Sequence, residues 1–305
     1  SPPVKITEPQ HVAGMPEGVY HADPVPAGSL SYSMAKVLVQ PGGPAKLRYK
    51  LDHPQPRKKV FDFGSAAHKL VLGEGAPIRI IPEELLAKNG AASTDAAKAF
   101  IEYAYAEGAI PLKVWEAEQV VAMAEALRND REASAVLATE GMRHEVSGFQ
   151  QDEQTGVWLR CRWDMVAPSL VGDYKTAVSA DPRKFAARTM LDTGYHIQAA
   201  HYLDLAVSLG LTDPDAPFQF VVQEKEPPYL PSVVTVGGEY LELGRVHMRR
   251  AIDLWASCTA SGVWPGYPAT VAEPPRWAVD EAWEELDPDI EAELEALLNK
   301  GKEVH

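Results

Sequence analysis

Trp158-Leu159-Arg160-Cys161-Arg162-Trp163-Asp164-Met165-Val166, then a turn at Pro168-Ser169, then Leu170-Val171-Gly172-Asp173-Tyr174-Lys175-Thr176, is the stretch on which the fold turns. Side chains on a strand alternate between its two faces. Leu159, Cys161, Trp163 and Met165 therefore make an apolar face, while Arg160, Arg162 and Asp164 share the opposite one. On the second segment Asp173 and Lys175 are two apart and point the same way. If the two strands pair across the turn, Asp164, Asp173 and Lys175 converge. A carboxylate set among strand side chains is costly unless water or a cation reaches it. Oxygen ligands suit Mg²⁺, which is commonly held by one or two carboxylates plus a substrate phosphate. Such an ion acidifies water and offsets charge on a phosphodiester, and a neighbouring lysine can orient or deprotonate that water and steady the transition state. The plainer reading is an exposed hairpin with a surface ion pair, because Asp-x-Lys is frequent by chance; spacing alone leaves the two readings even.

Outward from this pair, residues 143–151, 157–167 and 170–177 alternate or carry β-branched and aromatic side chains, with turns at Asp152–Gly156 and Pro168-Ser169. They read as an antiparallel meander of three strands. A helix follows Asp181-Pro182, with the proline in its first turn, and another runs from Gly194 to Leu209. Strands at 218–225 and 232–236 precede a helix from Glu239 to Ala260. Upstream the chain is mostly helical. Ser29 to Val39 is a short helix stopped by Pro41-Gly42-Gly43, and 61–73 is a helix with small residues Gly64, Ser65, Ala66 and Ala67. Ser93-Thr94 cap a helix through Glu107, and Leu112 to Leu127 is amphipathic. The organisation expected is an extended Pro- and Gly-rich arm over 1–28, an α/β domain over 29–270 and an acidic tail over 271–305.

The chain has 305 residues, 46% of them hydrophobic and 24% charged, which excludes disordered and fibrous classes. No apolar run reaches the ~20 residues that span a bilayer, and the opening SPPVKITEPQ lacks a basic-then-apolar secretion signal. Cys161 and Cys258 are too few for a disulfide framework or an iron–sulfur cluster. A cytoplasmic location is expected. The net charge of −14 argues at first against a polyanion partner. However, residues 271–305 hold eleven acids against three bases, so −8 of that charge lies in the tail and −6 in the rest. A nucleic-acid substrate is then admissible in a locally basic channel, with affinity falling steeply as salt rises.

An acidic residue on one strand followed by Asp-x-Lys on the next resembles the PD-(D/E)XK nuclease core. Further blocks occur in order: Ser29-Leu30-Ser31-Tyr32-Ser33 leading to Gly43-Pro44-Ala45-Lys46, Gly64-Ser65-Ala66-Ala67-His68, and Arg162-Trp163-Asp164. Asp173-Tyr174-Lys175-Thr176, Tyr195-His196-Ile197-Gln198-Ala199-Ala200-His201-Tyr202 and Gly262-Val263-Trp264-Pro265-Gly266-Tyr267 complete the series. Together they are similar to the RecE (exonuclease VIII) family of phage-type exonucleases. The resemblance implies a restriction-endonuclease-like α/β core, with a central mixed β-sheet flanked by helices and an N-terminal helical cap. It also implies Mg²⁺-dependent hydrolysis of double-stranded DNA from an end, 5′-to-3′, with Mn²⁺ as a substitute. The 3′ single strands left behind would serve a RecT-like annealing protein in homologous recombination. A ring-shaped homo-oligomer, a tetramer, in the cytoplasm of a bacterial host and encoded by a phage or prophage, completes the expectation.

The same resemblance assigns residues. His68, Asp164, Asp173 and the Tyr174 carbonyl are implied as metal ligands, and Lys175 as the group acting on water. Read by itself, a lone helical histidine such as His68 is a core or surface residue. Gln198 and Tyr202, four apart on one helix face, are implied beside the active site; the alternative places Tyr202 in the core. Glu145 is a candidate for a second metal or a terminal phosphate, or else a solvated strand residue. Arg160 and Arg162 are candidate phosphate clamps, and Arg183, Lys184 and Arg188 fit tracking of a DNA backbone. Two rival readings stand beside this one: an endonuclease of the same fold, and a catalytically inactive DNA-binding protein that keeps it.

Overall fold

The computed structural model describes residues 4–54, 66–67, 69–70, 72, 77–285 and 288–302. By contacts the chain divides into two units, Ser1–Gly266 and Tyr267–His305. Strands of the first unit are β1 (Gln10–Ala13), β2 (Ser29–Leu30), β3 (Ile78–Ile80), β4 (Ile110–Leu112), β5 (Arg143–Gln151), β6 (Trp158–Ala167), β7 (Leu170–Ala177), β8 (Phe218–Glu224) and β9 (Pro231–Thr235). Its helices are α1 (Glu17–His21), α2 (Tyr32–Leu38), α3 (Gly43–Asp52), α4 (Asp95–Ala106), α5 (Val114–Asn129) and α6 (Arg131–Leu137). They continue as α7, made of Pro182–Lys184, a π-helical turn Phe185–Thr189 and Met190–Asp192, then α8 (Tyr195–Ser208) and α9 (Gly238–Ser261).

The main sheet has the order β1-β5-β6-β7-β8-β9, with β2 alongside β6, and β3 pairs with β4 in a separate ribbon. The meander forms as expected: β5–β6 and β6–β7 are antiparallel. The next pair, β7–β8, is parallel. Parallel neighbours need a long crossover, and α7 and α8 supply it. The sheet is therefore mixed.

Its two faces bury different helices. Trp163, Phe218 and Phe220 share one core with Leu38 of α2, Leu203 of α8 and Ile252 of α9. Met165 and Val221 share another with Met123 and Leu127 of α5 and Val136 of α6. Each large side chain removed from water in this way contributes about 1.5–3 kcal/mol, so both layers are held by burial. The crossing of α8 and α9 depends on Gly244, where a Cβ would stand 2.1 Å from the His196 carbonyl oxygen. Local signals placed several ends. Thr94 Oγ1 accepts the Ala97 N–H at 3.0 Å and starts α4, and Asp181 caps α7 through the Arg183 N–H.

Of residues 1–28, expected as an extended arm, the described part from residue 4 on is built into the domain instead, with Gln10–Ala13 joining the sheet. β1 pairs antiparallel with β5 over Gln10–Ala13 and Val146–Phe149. Ile6, Met15, Tyr20 and Val25 then bury against Phe149 and Trp158. The prolines flank these elements rather than interrupt them, with Pro16 at the N-cap of α1. In the second unit a helix at Arg276–Glu284 (α10), unforeseen because it lies among prolines, precedes α11 (Pro288–Lys302). Pro275 is the N-cap residue of α10, outside the helical turns it would otherwise break. No described helix is long and apolar enough to cross a membrane.

Candidate active site

The site is a fork in the sheet. β6 pairs with β5 along its length, but with β7 only over Met165–Ala167 and with β2 only at Trp158 and Leu159. On that edge the pairing gives out between Leu159 and Met165. Extending the register puts Asp164 opposite Asp173 where the strands part. The backbone groups freed by the fork are strong donors and acceptors that need partners, and side chains provide them. Asp164 Oδ2 accepts the Tyr174 N–H at 3.0 Å. From α8, His201 Nε2 meets the Arg160 carbonyl at 3.0 Å; in the other direction the Trp163 indole of β6 ties the strand to α8 by donating to the Tyr202 carbonyl at 2.8 Å. A carbonyl only accepts, so Nε2 of His201 carries the hydrogen. Burial pushes this imidazole down to about 4, and it is neutral at physiological pH.

Three side chains then converge. Asp173 is 3% exposed, and Gln198 Nε2 of α8 donates to its Oδ1 at 3.0 Å. Lys175 Nζ lies 2.6 Å from Asp173 Oδ2 and 4.6 Å from the centre of the Tyr195 ring. Burial, and then the neighbouring Asp164 carboxylate, push Asp173 up to about 7, with Lys175 acting in the opposite direction. Burial disfavours the Lys175 ammonium, but Asp173, with smaller help from Tyr195, Tyr32 and Asp164, outweighs it and raises its pKa. Lys175 is thus a cation here. It can orient water and steady negative charge, but it is a poor base.

The donor set fits a hard divalent cation. Gln198 Oε1 has no partner and Asp173 Oδ2 only the Lys175 ammonium, although both are buried. An unsatisfied buried oxygen is costly, and the two sit on adjoining side chains beside Asp164. A cation with oxygen preference would satisfy them. Among the described residues no group of three or more His, Cys, Asp or Glu forms a ligand set. His68 lies outside the described residues. Ala66 and Ala67 before it are buried in the cluster that contains Tyr174.

Glu145 stands by register opposite Asp164, in left-handed backbone at φ 50°, and its carboxylate is 3.8 Å from Arg162. A non-glycine residue in that conformation is strained, a feature that concentrates at functional sites. Tyr174 keeps its place between Asp173 and Lys175 on β7, and its hydroxyl donates to Gln223 at 2.5 Å. Lys184 and Arg188 line a cleft of about 590 Å³ with Ser179 and Thr189, just past the end of β7. Arg183 is solvent-exposed at the start of the same segment.

Two assignments change. Arg160 is not a phosphate clamp. It is 8% exposed, pairs with Asp23 at 2.9 Å and donates to the carbonyl and hydroxyl oxygens of Ser29. Arg162 is likewise occupied, donating to the Met15 carbonyl at 2.8 Å and to Ser147 Oγ at 3.1 Å. Buried guanidinium groups must be paired, and the N-terminal segment provides the partners. Tyr202 lies in the core with its ring edge-on to Tyr32 at 6.1 Å, and burial first, then nearby groups that include Asp173 and Asp164, push its hydroxyl up, so it stays within electrostatic reach of both carboxylates. Sequence reasoning also passed over His201 and Tyr195. Both sit in the motif that contains Gln198, and their roles depend on where the fork places a carbonyl and a lysine.

Against known proteins, a family described as a PDDEXK-like domain of unknown function (DUF3799) matches residues 31–273. Among solved structures, a candidate exonuclease from Eubacterium rectale is similar in fold at a TM-score of 0.51. It is 16% identical, over 81% of this chain and 90% of that one. A phage related exonuclease from Haemophilus somnus 129PT is 14% identical, over 65% of this chain and 95% of that one, at a TM-score of 0.27 that adds no weight. No curated protein matches the chain by sequence. The Asp164–Asp173–Lys175 fork in a mixed sheet and the family match over most of its length agree: the chain belongs to the PDDEXK-like domain family and carries the PD-(D/E)XK nuclease fold.

Proposed function

We propose that this chain is a divalent-metal-dependent exonuclease of double-stranded DNA, working 5′-to-3′ from a duplex end to leave 3′ single strands for recombination. The carrying observation is the buried Asp173 carboxylate, held by Gln198 and Lys175 beside Asp164. A binding protein has no use for such an arrangement: it costs stability and leaves Gln198 Oε1 unsatisfied. Asp164, Asp173 and the Tyr174 carbonyl would hold Mg²⁺ or Mn²⁺, with His68 as a further ligand. When bound, the ion would supply Lewis acidity toward the phosphodiester and lower the pKa of water. Gln198 fixes the rotamer of Asp173 by its hydrogen bond. Lys175, held as an ammonium, orients the attacking water and stabilises charge growing on the phosphate. Lys184, Arg188 and Arg183 follow the backbone beyond β7. A ring of subunits, a tetramer, a RecT-like annealing partner, and action in the cytoplasm of a phage or prophage host belong to the same proposal.

Digestion of blunt linear duplex with and without Mg²⁺ tests it. Wild type should release nucleotides only with the ion, while Asp173→Ala and Lys175→Ala should lose at least about a hundredfold in rate. Activity of both variants equal to wild type would falsify the mechanism. Cleavage of a closed circular duplex would replace the exonuclease with an endonuclease.

A further inference from the structure

We propose that the outer face of α2 and α3 is a binding platform for an unpaired DNA strand entering the metal site, with Tyr49 as its stacking surface and Lys36 and Lys50 as its phosphate contacts. The proposal rests on the nuclease reading of the adjoining fork and adds to it the form of the substrate, a strand already separated from its complement.

α3 has two unlike faces. Leu47 is buried, and Arg48 lies over the Trp264 ring at 5.3 Å and is paired with Asp52, while the Ala45 N–H donates to the Pro265 carbonyl. This side anchors the helix. Residues 46, 49 and 50 lie three and four apart and share the opposite side. With Val37, Gln40 and Ala45 they line a cleft of about 420 Å³ between the two helices. That size suits a nucleotide rather than a duplex. Lys46 Nζ donates to the Pro41 carbonyl at 3.0 Å.

Tyr49 is 64% exposed, with most of its apolar ring in water. It is not loose, however. It stacks on His53 with centroids 4.2 Å apart and planes 22° from parallel, which fixes one face and leaves the ring set for another partner. Stacking on exposed aromatics beside lysines is how single strands are held without sequence preference, and bases inside a duplex cannot use such a surface.

The platform is continuous with the fork through Lys36. Its Cβ region packs on Gly194, the residue before Tyr195, and its Nζ reaches the Thr193 carbonyl at 3.5 Å and the Tyr32 ring at 5.4 Å. Tyr195 in turn carries Lys175 over its ring. Burial, then the charges of Lys175 and Lys50, push Lys36 down, consistent with its standing between them. Lys175, Lys36 and Lys50 thus form a row of cations from the reaction centre to the stacking ring, on a chain whose net charge is −14. Phosphates of a strand are the complementary partner for that row.

The test measures anisotropy of a short fluorescein-labelled oligothymidylate, and of a blunt duplex of equal length, on the full chain with Ca²⁺ in place of Mg²⁺. Tyr49→Ala combined with Lys50→Glu should weaken oligothymidylate binding about tenfold or more, the loss expected for one stacked base and one phosphate contact. Tyr49→Phe should bind as wild type does. Both positions are exposed, so circular dichroism melts should be unchanged. Unaltered oligothymidylate affinity in the double variant overturns the platform, as does a variant whose only change is oligomeric state in sedimentation. Failure of the two readings is separable. If the double variant binds normally while wild type digests linear duplex, the platform falls and the nuclease stands. If wild type digests nothing but loses oligothymidylate binding through Tyr49→Ala, the nuclease falls and the platform stands as a binding site.

Discussion

A single buried carboxylate, Asp173, needs two neighbours to be tolerable, and each answers a different cost, while a third adds to it. Gln198 supplies a hydrogen bond, Lys175 a counter-charge, and the adjoining Asp164 raises the cost again by its own charge. Gln198→Leu should leave the fold intact and lower the rate, or the affinity for Mg²⁺, by about 10–100-fold, as removal of partners that orient a metal ligand does. Initial rates across a Mg²⁺ titration check this. Arg160 makes the opposite case, a residue of chemical promise that the structure uses for stability. Arg160→Leu takes the counter-charge from Asp23, which keeps its hydrogen bonds from Ser29 and Val25, and should cost about 3 kcal/mol by urea unfolding. The slope of DNA affinity against salt should be unchanged, because no phosphate contact is lost. At this scale alternation along β7 correctly put Asp173 and Lys175 on one face. Along β6 it breaks at Asp164, opposite the left-handed Glu145: Trp163 and Val166 bury in one core and Met165, expected on the face of Trp163, in the other. Nor could alternation say that Arg160 turns to Asp23, 137 residues away in sequence, since long-range pairs leave no local signature.

Elements were legible where their ends carried chemistry. Thr94 and Asp181 are capping residues, Pro182 is a first-turn proline, and the β5–β6–β7 boundaries follow their turns. The parallel pairing of β7 with β8 and the incorporation of β1 were not readable, because both depend on which edge of the sheet is free after the meander forms. One tie between elements makes a pH prediction. Arg249 of α9 donates in a bidentate pair to Asp152 of the β5–β6 turn at 2.7 and 2.9 Å. This Arg249 contact, followed by smaller contributions from Thr155, holds the Asp152 carboxyl down at about 2, below its ordinary 3.8. A depressed carboxylate stabilises the folded state above the ordinary value and loses that contribution as pH falls toward the depressed one. Asp152→Asn should therefore cost about 1–2 kcal/mol at pH 7. The difference from wild type should shrink between about pH 4 and pH 2. Urea unfolding across that range measures it, and a constant difference would show that the pair is not the source.

For the whole molecule, the charge that first seemed to bar a nucleic acid is a matter of address. The second unit, Tyr267–His305, contains the whole of the −8 segment, with Trp277 and Leu297 exposed on its helices. A chain ending at Gly266 should unfold in one cooperative step at the full-length midpoint and digest linear duplex at the full-length rate. Scanning calorimetry and the digestion assay check both, and a large drop in midpoint would make the tail part of the core. The fork has one more consequence. Its carboxylate from β7 is seated by a glutamine 25 residues downstream, and the carbonyl freed on β6 by a histidine 41 residues downstream. A piece of the chain that stops before Gln198 and His201 has no finished centre. Chemistry and native packing therefore arrive together, and a copy whose synthesis stops before α8 is without its centre.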